Sequence, residues 1–382
     1  MTQYFEQGPI RPPSEARSLL IRLTRNCPWN KCAFCGTYRD LKFALRPPRE
    51  VIDDINAVAA IVGQLQELSQ EQGEGGLISE RILQRVWDSY PAYGDRHRSV
   101  ALWLYYGGES LFLQDADSLI MKAPDVASIL RHIGQTFPFV RRITTYCRSK
   151  TAAHKSLADL QLLAEAGLSR IHIGLESGCD PLLKFIRKGA TAAEHVTAGS
   201  KIKAAGLSLS EYVIPGLGGE RWTEEHARET AEVINAINPN FIRLRSLHLS
   251  RGTALLEMME QGEFVPLDDD AVVREIRNFL SRLEGITSTI VSDHALNLLE
   301  EVQGRLPEEK DKILALIDRY LALSHRKRLI FRLGRRRGLY RRLEDLHNEA
   351  TYRGLEELVD QYEKREKGAL EKHLCQIMHN FI

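Results

Sequence analysis

Three cysteines fall on one short run, Arg25-Asn26-Cys27-Pro28-Trp29-Asn30-Lys31-Cys32-Ala33-Phe34-Cys35, and three thiols so close together form a candidate ligand set. Thiolates select zinc, copper(I) or an iron–sulfur cluster, and a site with three protein ligands leaves one coordination position open for substrate or cofactor. A structural zinc site asks for four ligands, commonly as paired Cys-x2-Cys elements, and no His or Cys follows at the usual distance. A plant-type ferredoxin loop shares the Cys-x4-Cys-x2-Cys spacing but needs a fourth cysteine, and the next one, Cys147, falls on a different expected strand. The remaining thiols, Cys147, Cys179 and Cys375, are isolated in sequence. Cys147 reads as a small buried residue and Cys179 as a loop residue.

The elements that must position this loop alternate between two periods. Short β-branched or aromatic runs at Ser18 to Thr24, Val100 to Tyr106, Arg141 to Cys147, Ser169 to Glu176, Leu207 to Pro215 and Phe241 to Leu247 read as six strands. Helical spacing recurs between them: Leu157, Leu160, Leu163 and Ala164 before Gly167, a capping box at Thr191 and Glu194 with a stop at Gly206, and a helix from about Thr223 that ends before Pro239. The long connection after the first strand holds helical pattern in Val51 to Leu68 and Leu77 to Trp87. Repeated βα units predict a parallel sheet with helices outside it, a partial (β/α)6 TIM-like barrel. Past Thr253 no further strand is expected. Val272 to Leu283, His294 to Val302, Lys310 to Leu323 and Leu355 to Phe381 read as an α-helical C-terminal extension. The expected domains are 1–255, the barrel, and 256–382, the helices that cover its substrate side.

Ligands of parallel βα folds bind at the carboxyl ends of the strands. Unusual polar groups fall at each expected end. The cysteine loop follows the first strand, Gly107-Gly108-Glu109 the second, Cys147 the third, Glu176-Ser177-Gly178 the fourth and Pro215-Gly216 the fifth, with Arg243, Arg245 and His248 on or after the sixth. Glycine allows close backbone approach to a ligand, and Glu109 and Glu176 can accept hydrogen bonds from an ammonium or from sugar hydroxyls.

These motifs together resemble the radical S-adenosylmethionine (SAM) enzymes. Cys27, Cys32 and Cys35, with Phe34 before the last, resemble the family's cluster loop, although its commonest form has three residues between the first two cysteines and this one has four. Gly107-Gly108-Glu109 resembles the family's glycine-glycine-glutamate motif. Ile171 to Gly178 with Arg187-Lys188-Gly189, Ile214-Pro215-Gly216, and Pro239 to Arg245 are similar to the fourth, fifth and sixth strand segments of the branch with oxygen-independent coproporphyrinogen oxidases, elongator-type proteins and methylthiotransferases. The likeness covers about residues 17 to 255. It implies a [4Fe–4S] cluster on Cys27, Cys32 and Cys35, with S-adenosylmethionine on its open iron, and a 5′-deoxyadenosyl radical that takes hydrogen from a substrate. It further implies that Glu109 holds the cofactor's ammonium, Glu176 and Ser177 its ribose or methionyl end, Phe34, Ile214 and Gly216 its adenine, and Arg243 or Arg245 its carboxylate, with Gly107 and Gly108 beside Glu109. A low-potential electron donor such as flavodoxin or ferredoxin is the implied partner.

The whole chain narrows the substrate. Its 382 residues carry a net charge of +1, which argues against a polyanion covering the surface. Between Arg326 and Arg342, however, there are nine Lys/Arg and no acid, a basic stretch that reads as a packed amphipathic element paired with the acidic sequence after it. Gly334 and Gly338 are expected to bracket a tight turn carrying Arg335, Arg336 and Arg337. A small-molecule substrate is therefore favoured over a nucleic acid. Modification of RNA or protein is the first alternative, and a non-catalytic iron–sulfur scaffold or redox protein the second. No apolar run reaches membrane-spanning length and Met1 to Pro13 has no signal-peptide core, so no membrane and a cytoplasmic location are expected.

Overall fold

A computed structural model describes residues 4–89, 92–365 and 368–379. The main sheet has eight strands: β1 (Leu19–Arg22), β2 (Ser110–Gln114), β3 (Arg142–Tyr146), β4 (Leu168–Glu176), β5 (Ser208–Val213), β6 (Phe241–Leu244), β7 (Thr289–Val291) and β8 (Gly304–Arg305). Their spatial order is the order of the chain. The pairs β1–β2, β2–β3, β3–β4, β5–β6 and β6–β7 are parallel, and β8 returns antiparallel to β7. Parallel strands in sequential order keep the crossover helices on one face of the sheet, because each right-handed crossover advances by one strand. That is the winding of a partial (β/α) barrel, and the fold is α/β.

By contacts the chain forms two compact units. The first is Met1–Asn30, Thr37–Ile173 and Thr197–Leu209; the second is Lys31–Gly36, Gly174–Val196 and Ser210–Ile382. The helices after residue 255 thus share a unit with the later strands. In the first unit, Leu19 and Ile21 of β1 and Leu111, Phe112 and Leu113 of β2 are buried, with the 24-residue helix Pro48–Glu71 contributing Val51, Ile55, Val58, Ile61 and Leu65. Five of the six expected strands are present. No helix among the described residues is long and apolar enough to cross a membrane.

Val100 to Tyr106, expected as the second strand, lies in the helix Asp95–Tyr105. Val100 and Trp103 are buried while Leu102 and Tyr105 are exposed, so the apolar residues meet the core at helical and not alternating spacing. Gly107 and Gly108 then close the helix at φ 97° and 68°, their amides donating to the carbonyls of Leu104 and Trp103. The second strand is Ser110–Gln114, a run of only five residues.

The C-terminal region differs from expectation in three further ways. Strands β7 and β8 extend the sheet beyond residue 253. The expected helix Leu355 to Phe381 is two helices, Glu349–Arg365 and Ala369–His379, with Gly368 at φ 84° between them; Phe381 lies outside the described residues. His294 to Val302 forms turns in place of a helix. Arginines from the basic stretch explain why: the Arg335 guanidinium donates to the carbonyls of Leu298 and Asn297, both at 2.9 Å, and Arg336 donates to that of Leu296 at 2.6 Å. Carbonyls that a helix would satisfy internally are satisfied here by buried side chains.

The basic stretch is therefore internal in part, with Lys327, Arg337, Arg341 and Arg342 remaining exposed. Helix His325–Arg336 buries Arg332, Arg335 and Arg336, and Arg332 meets Asp269 at 2.8 Å and Glu371 at 2.6 Å. Gly334 sits inside this helix and not at a turn, because a Cβ there would lie 2.3 Å from the Tyr340 ring; Gly338, at φ 70°, makes the turn alone. Replacing Arg335 by Ala strips donors from the carbonyls of Asn297, Leu298 and Tyr340 and from Glu300. Denaturant unfolding of Arg335→Ala should show a loss of about 2–5 kcal/mol, the cost of buried acceptors left unpaired, and a change under 1 kcal/mol would refute the internal role.

Candidate functional site

The cysteine loop leaves β1 at the carboxyl end of the sheet and has no regular structure of its own after the short pairing of Thr24–Arg25 with Ala44–Leu45. In the first unit its shape is set by Asp115, fully buried directly after β2. The Asp115 carboxylate accepts hydrogen bonds from Arg22 Nε at 2.7 Å, from the Asn26 amide at 3.1 Å and from the Tyr38 hydroxyl at 2.7 Å. One carboxylate thus ties residues on both sides of the cysteines. Burial, and then the Asp115 charge, push the Tyr38 phenol far up, so it stays a donor. Glu6 pairs with Arg22 and Arg25, and Arg46 with Asp54, so the cations around Asp115 are themselves held. Asn26 and Asn30 adopt φ 67° and 49°, a conformation asparagine tolerates better than most residues, and the Asn30 amide donates to Cys27 Sγ at 3.4 Å.

In the second unit the anchor is Ala33, between Cys32 and Cys35. Its amide donates to the Ile186 carbonyl and its carbonyl accepts from the Leu255 amide, both at 2.8 Å. Ala33 belongs to an apolar cluster with Leu183, Ile186, Ile214 and Leu217, against which Phe34 packs. Phe34 and Ile214, both expected to hold an adenine, are therefore in one cluster. Beside them Lys188 Nζ lies 5.9 Å from the Phe34 ring centroid and 2.7 Å from Glu176 Oε1. Gly174 is required for that pair, since a Cβ there would lie 2.1 Å from the same oxygen.

Cys27 and Cys32 are partly exposed and Cys35 is exposed, whereas Cys147 and Cys179 are buried. Burial pushes the Cys147 thiol well up and the Cys179 thiol to about 11, so both remain protonated. Three accessible soft donors on one loop fit a thiolate-ligated cluster with an open position. Among the described residues no group of three His, Cys, Asp or Glu side chains is arranged to hold a metal ion.

Other expected residues are placed differently. Glu109 precedes β2, at the end of the strand opposite to that of Asp115, because the second strand starts ten residues later than its expected start. There it is exposed, pairs with Arg141 at 3.3 Å, and stands with Gly107 and Gly108 at the wrong end of the sheet for an ammonium ligand near the cysteines. Ser177 is buried and bonded to the Cys179 amide and His226, which makes it part of the scaffold. Arg243 and Arg245, expected to take a free carboxylate, both bind Asp293, Arg245 at 2.5 Å. Gly216, at φ 82°, donates its amide to Glu275 Oε1 at 2.6 Å.

Four residues escaped the sequence reading as site members: Asp115, Lys188, Glu211 and Asp293. A signal for Asp115 existed in the acid pair of Gln114-Asp115-Ala116-Asp117 closing an apolar run; for Glu211 and Asp293 there was none. Glu211 on β5 is fully buried, and its two carboxylate oxygens have no hydrogen-bond partner among the described residues. Burial, reinforced by the Glu176 charge and only partly offset by Lys188, raises its pKa well above the usual carboxylate range.

Two predictions follow from this geometry. Asp115→Ala should release both flanks of the loop, so that the thiols of Cys27, Cys32 and Cys35 react faster with an alkylating reagent in the apoprotein; unchanged rates would show that Asp115 does not hold the loop. Glu211 retains in the folded chain a proton that the unfolded chain releases above about pH 4, so its contribution to stability is lost as pH rises from there toward its folded pKa. Glu211→Gln should therefore gain stability over the parent at pH 7, with the difference closing toward pH 4, and parallel pH profiles would contradict this.

The sequence model of the radical SAM superfamily matches residues 21–234. A tRNA uridine(34) acetyltransferase of Methanocaldococcus infernus is 24% identical over 139 residues, 35% of this chain and 26% of its own length. A tRNA-2-methylthio-N(6)-dimethylallyladenosine synthase of Chloroflexus aurantiacus is 27% identical over 195 residues, 50% of this chain and 39% of its own length. The chain thus spans well under two thirds of the length of the curated relatives it matches. Among solved structures, coproporphyrinogen III oxidase of Escherichia coli aligns over 74% of this chain and 54% of that one, with 13% identity and a TM-score of 0.43. Because the family model takes in more than half of the sequence, the chain belongs to the radical SAM superfamily.

Proposed function

We propose that Cys27, Cys32 and Cys35 hold the [4Fe–4S] cluster of this radical SAM enzyme and that its substrate is a small molecule. The observation that carries the reading is the grouping on one unit of Phe34, Ile214, Glu176 and Lys188 with the Cys32–Cys35 segment of the loop. When bound, the cluster and S-adenosylmethionine supply an electron and a cleavable sulfonium, the source of the 5′-deoxyadenosyl radical that takes hydrogen from the substrate.

The chain's own residues bind, orient and exclude water. Phe34 and Ile214 offer apolar faces for an adenine ring, and Gly216 lets the backbone approach it. Glu176, positioned by Lys188, presents a carboxylate suited to ribose hydroxyls. Glu211 stays protonated and so keeps a second negative charge away from Glu176. Arg243 and Arg245 reach a ligand carboxylate only by sharing or releasing Asp293. Glu109 has no part in this arrangement. The Asn30 amide donates to Cys27 Sγ and so helps to orient that side chain on the loop. A flavodoxin- or ferredoxin-like donor would deliver the electron, in the cytoplasm, where thiols stay reduced.

The names of the relatives above favour a second reading, modification of tRNA. Against it, Arg332, Arg335 and Arg336 are spent on internal carbonyls and carboxylates and are not available to phosphates.

Anaerobically reconstituted protein should show the broad visible absorbance of the cluster and form 5′-deoxyadenosine from S-adenosylmethionine under a low-potential reductant. Cys27→Ala, Cys32→Ala and Cys35→Ala should each lose both, and Cys147→Ala neither. A cluster that survives loss of one of the three loop thiols would refute the ligand assignment. Tight tRNA binding with a steep salt dependence would transfer support to the second reading.

A further inference from the structure

The second unit contains a cavity of about 560 Å³, within the range of small-molecule sites. One wall is Pro215, Gly216 and Arg245, which adjoin the residues given above to the adenosyl group. The facing wall is made by elements that no part of that reading uses. Helix Asp269–Ser281 turns positions 269, 272, 273 and 276 toward the cavity, the i, i+3, i+4, i+7 stripe by which a helix normally meets a packed core. Leu298 and Ile317 complete the apolar lining.

The cavity is open to solvent and mostly apolar, with Val272, Val273 and Ile276 of the helix stripe in its lining, so it offers a surface on which an apolar ligand can be buried. Its arginines are already matched, and the exposed Asp268 caps its own helix at the Ala271 amide. Arg332 lies between Asp269 and Glu371, Arg336 is bound to Asp269 and the Leu296 carbonyl, and Arg245 is bound to Asp293. An anionic ligand group would have to displace a carboxylate from one of these arginines, whereas a neutral apolar group displaces none.

We infer that this cavity is the substrate pocket and that it takes the mostly apolar, uncharged body of a small molecule, held between helix Asp269–Ser281 and Leu298. The inference rests on the radical SAM reading of the adjoining wall. It makes Val272 and Ile276 specificity-determining: side-chain volume at these positions sets what enters, while the polar groups that hold the cofactor lie elsewhere.

The test uses the full chain with its cluster reconstituted and two dyes, neutral Nile red and anionic anilinonaphthalene sulfonate. Nile red should bind saturably to one site, more tightly than the anion. Ile276→Trp and Val272→Phe should each weaken it about tenfold or more, with cluster absorbance and the thermal midpoint unchanged. Two variants on one wall guard against a single misfolded one. The inference is overturned if Nile red binding is not saturable, if neither filled variant weakens it, if the anion binds more tightly, or if S-adenosylmethionine or bulk tRNA alone displaces the dye. Formation of 5′-deoxyadenosine is read separately. Cleavage without dye binding overturns the pocket while the radical chemistry stands, and dye binding without cleavage overturns the substrate role through the reading on which it rests.

Discussion

A loop without secondary structure takes the shape that its fixed points impose, and the segment bearing Cys27, Cys32 and Cys35 has two. Asp115 is a buried anion whose desolvation is offset only if several donors converge on it, and the donors that do so are Arg22, the Asn26 amide and Tyr38. The requirement that this carboxylate be satisfied therefore acts on residues before and after the cysteines. Ala33 works by the opposite physics: a small apolar residue in a packed cluster, with its peptide groups paired to Ile186 and Leu255. Neither anchor uses a thiol.

Burial also decides what the charged residues of the C-terminal region do. An arginine in the interior must spend its donors on carbonyls or carboxylates, and the turn from His294 to Val302 exists in the form that supplies them. Three of the nine cations in that segment, Arg332, Arg335 and Arg336, thus become part of the core, and the acids Asp269, Glu300 and Glu371 that match them come from distant parts of the chain. The same logic accounts for Arg243 and Arg245, which share the single carboxylate of Asp293. Charge that is locally conspicuous in a sequence is poor evidence for a polyanion site when its partners lie far along the chain.

Glu211 is the exception to this matching. It is buried among its neighbours without a hydrogen bond to either oxygen, and neutrality is the state that such an environment permits. Its charged neighbours are Glu176 and Lys188, which belong to the group proposed above as the cofactor wall.

Properties that depend on short-range pattern were legible in the sequence. The thiol spacing, five of the six expected strands, the helices between them, the α/β class and the resemblance of the motifs all come from residues within one or two turns of each other, where side-chain type and period decide the outcome. Properties that depend on contacts between distant residues were not. Val100 to Tyr106 has the composition of a strand, and only burial of Val100 and Trp103 on one side makes it a helix, which moves Glu109 to the far end of the sheet. Strands β7 and β8 are three and two residues long, too short to show a period, and exist because β6 offers an edge to β7 and β7 in turn to β8. The anchoring by Asp115, the burial of Arg335 and Arg336, and the cavity behind Gly216 were decided by tertiary structure alone, since each is a balance of desolvation and pairing among groups that the chain brings together only when folded.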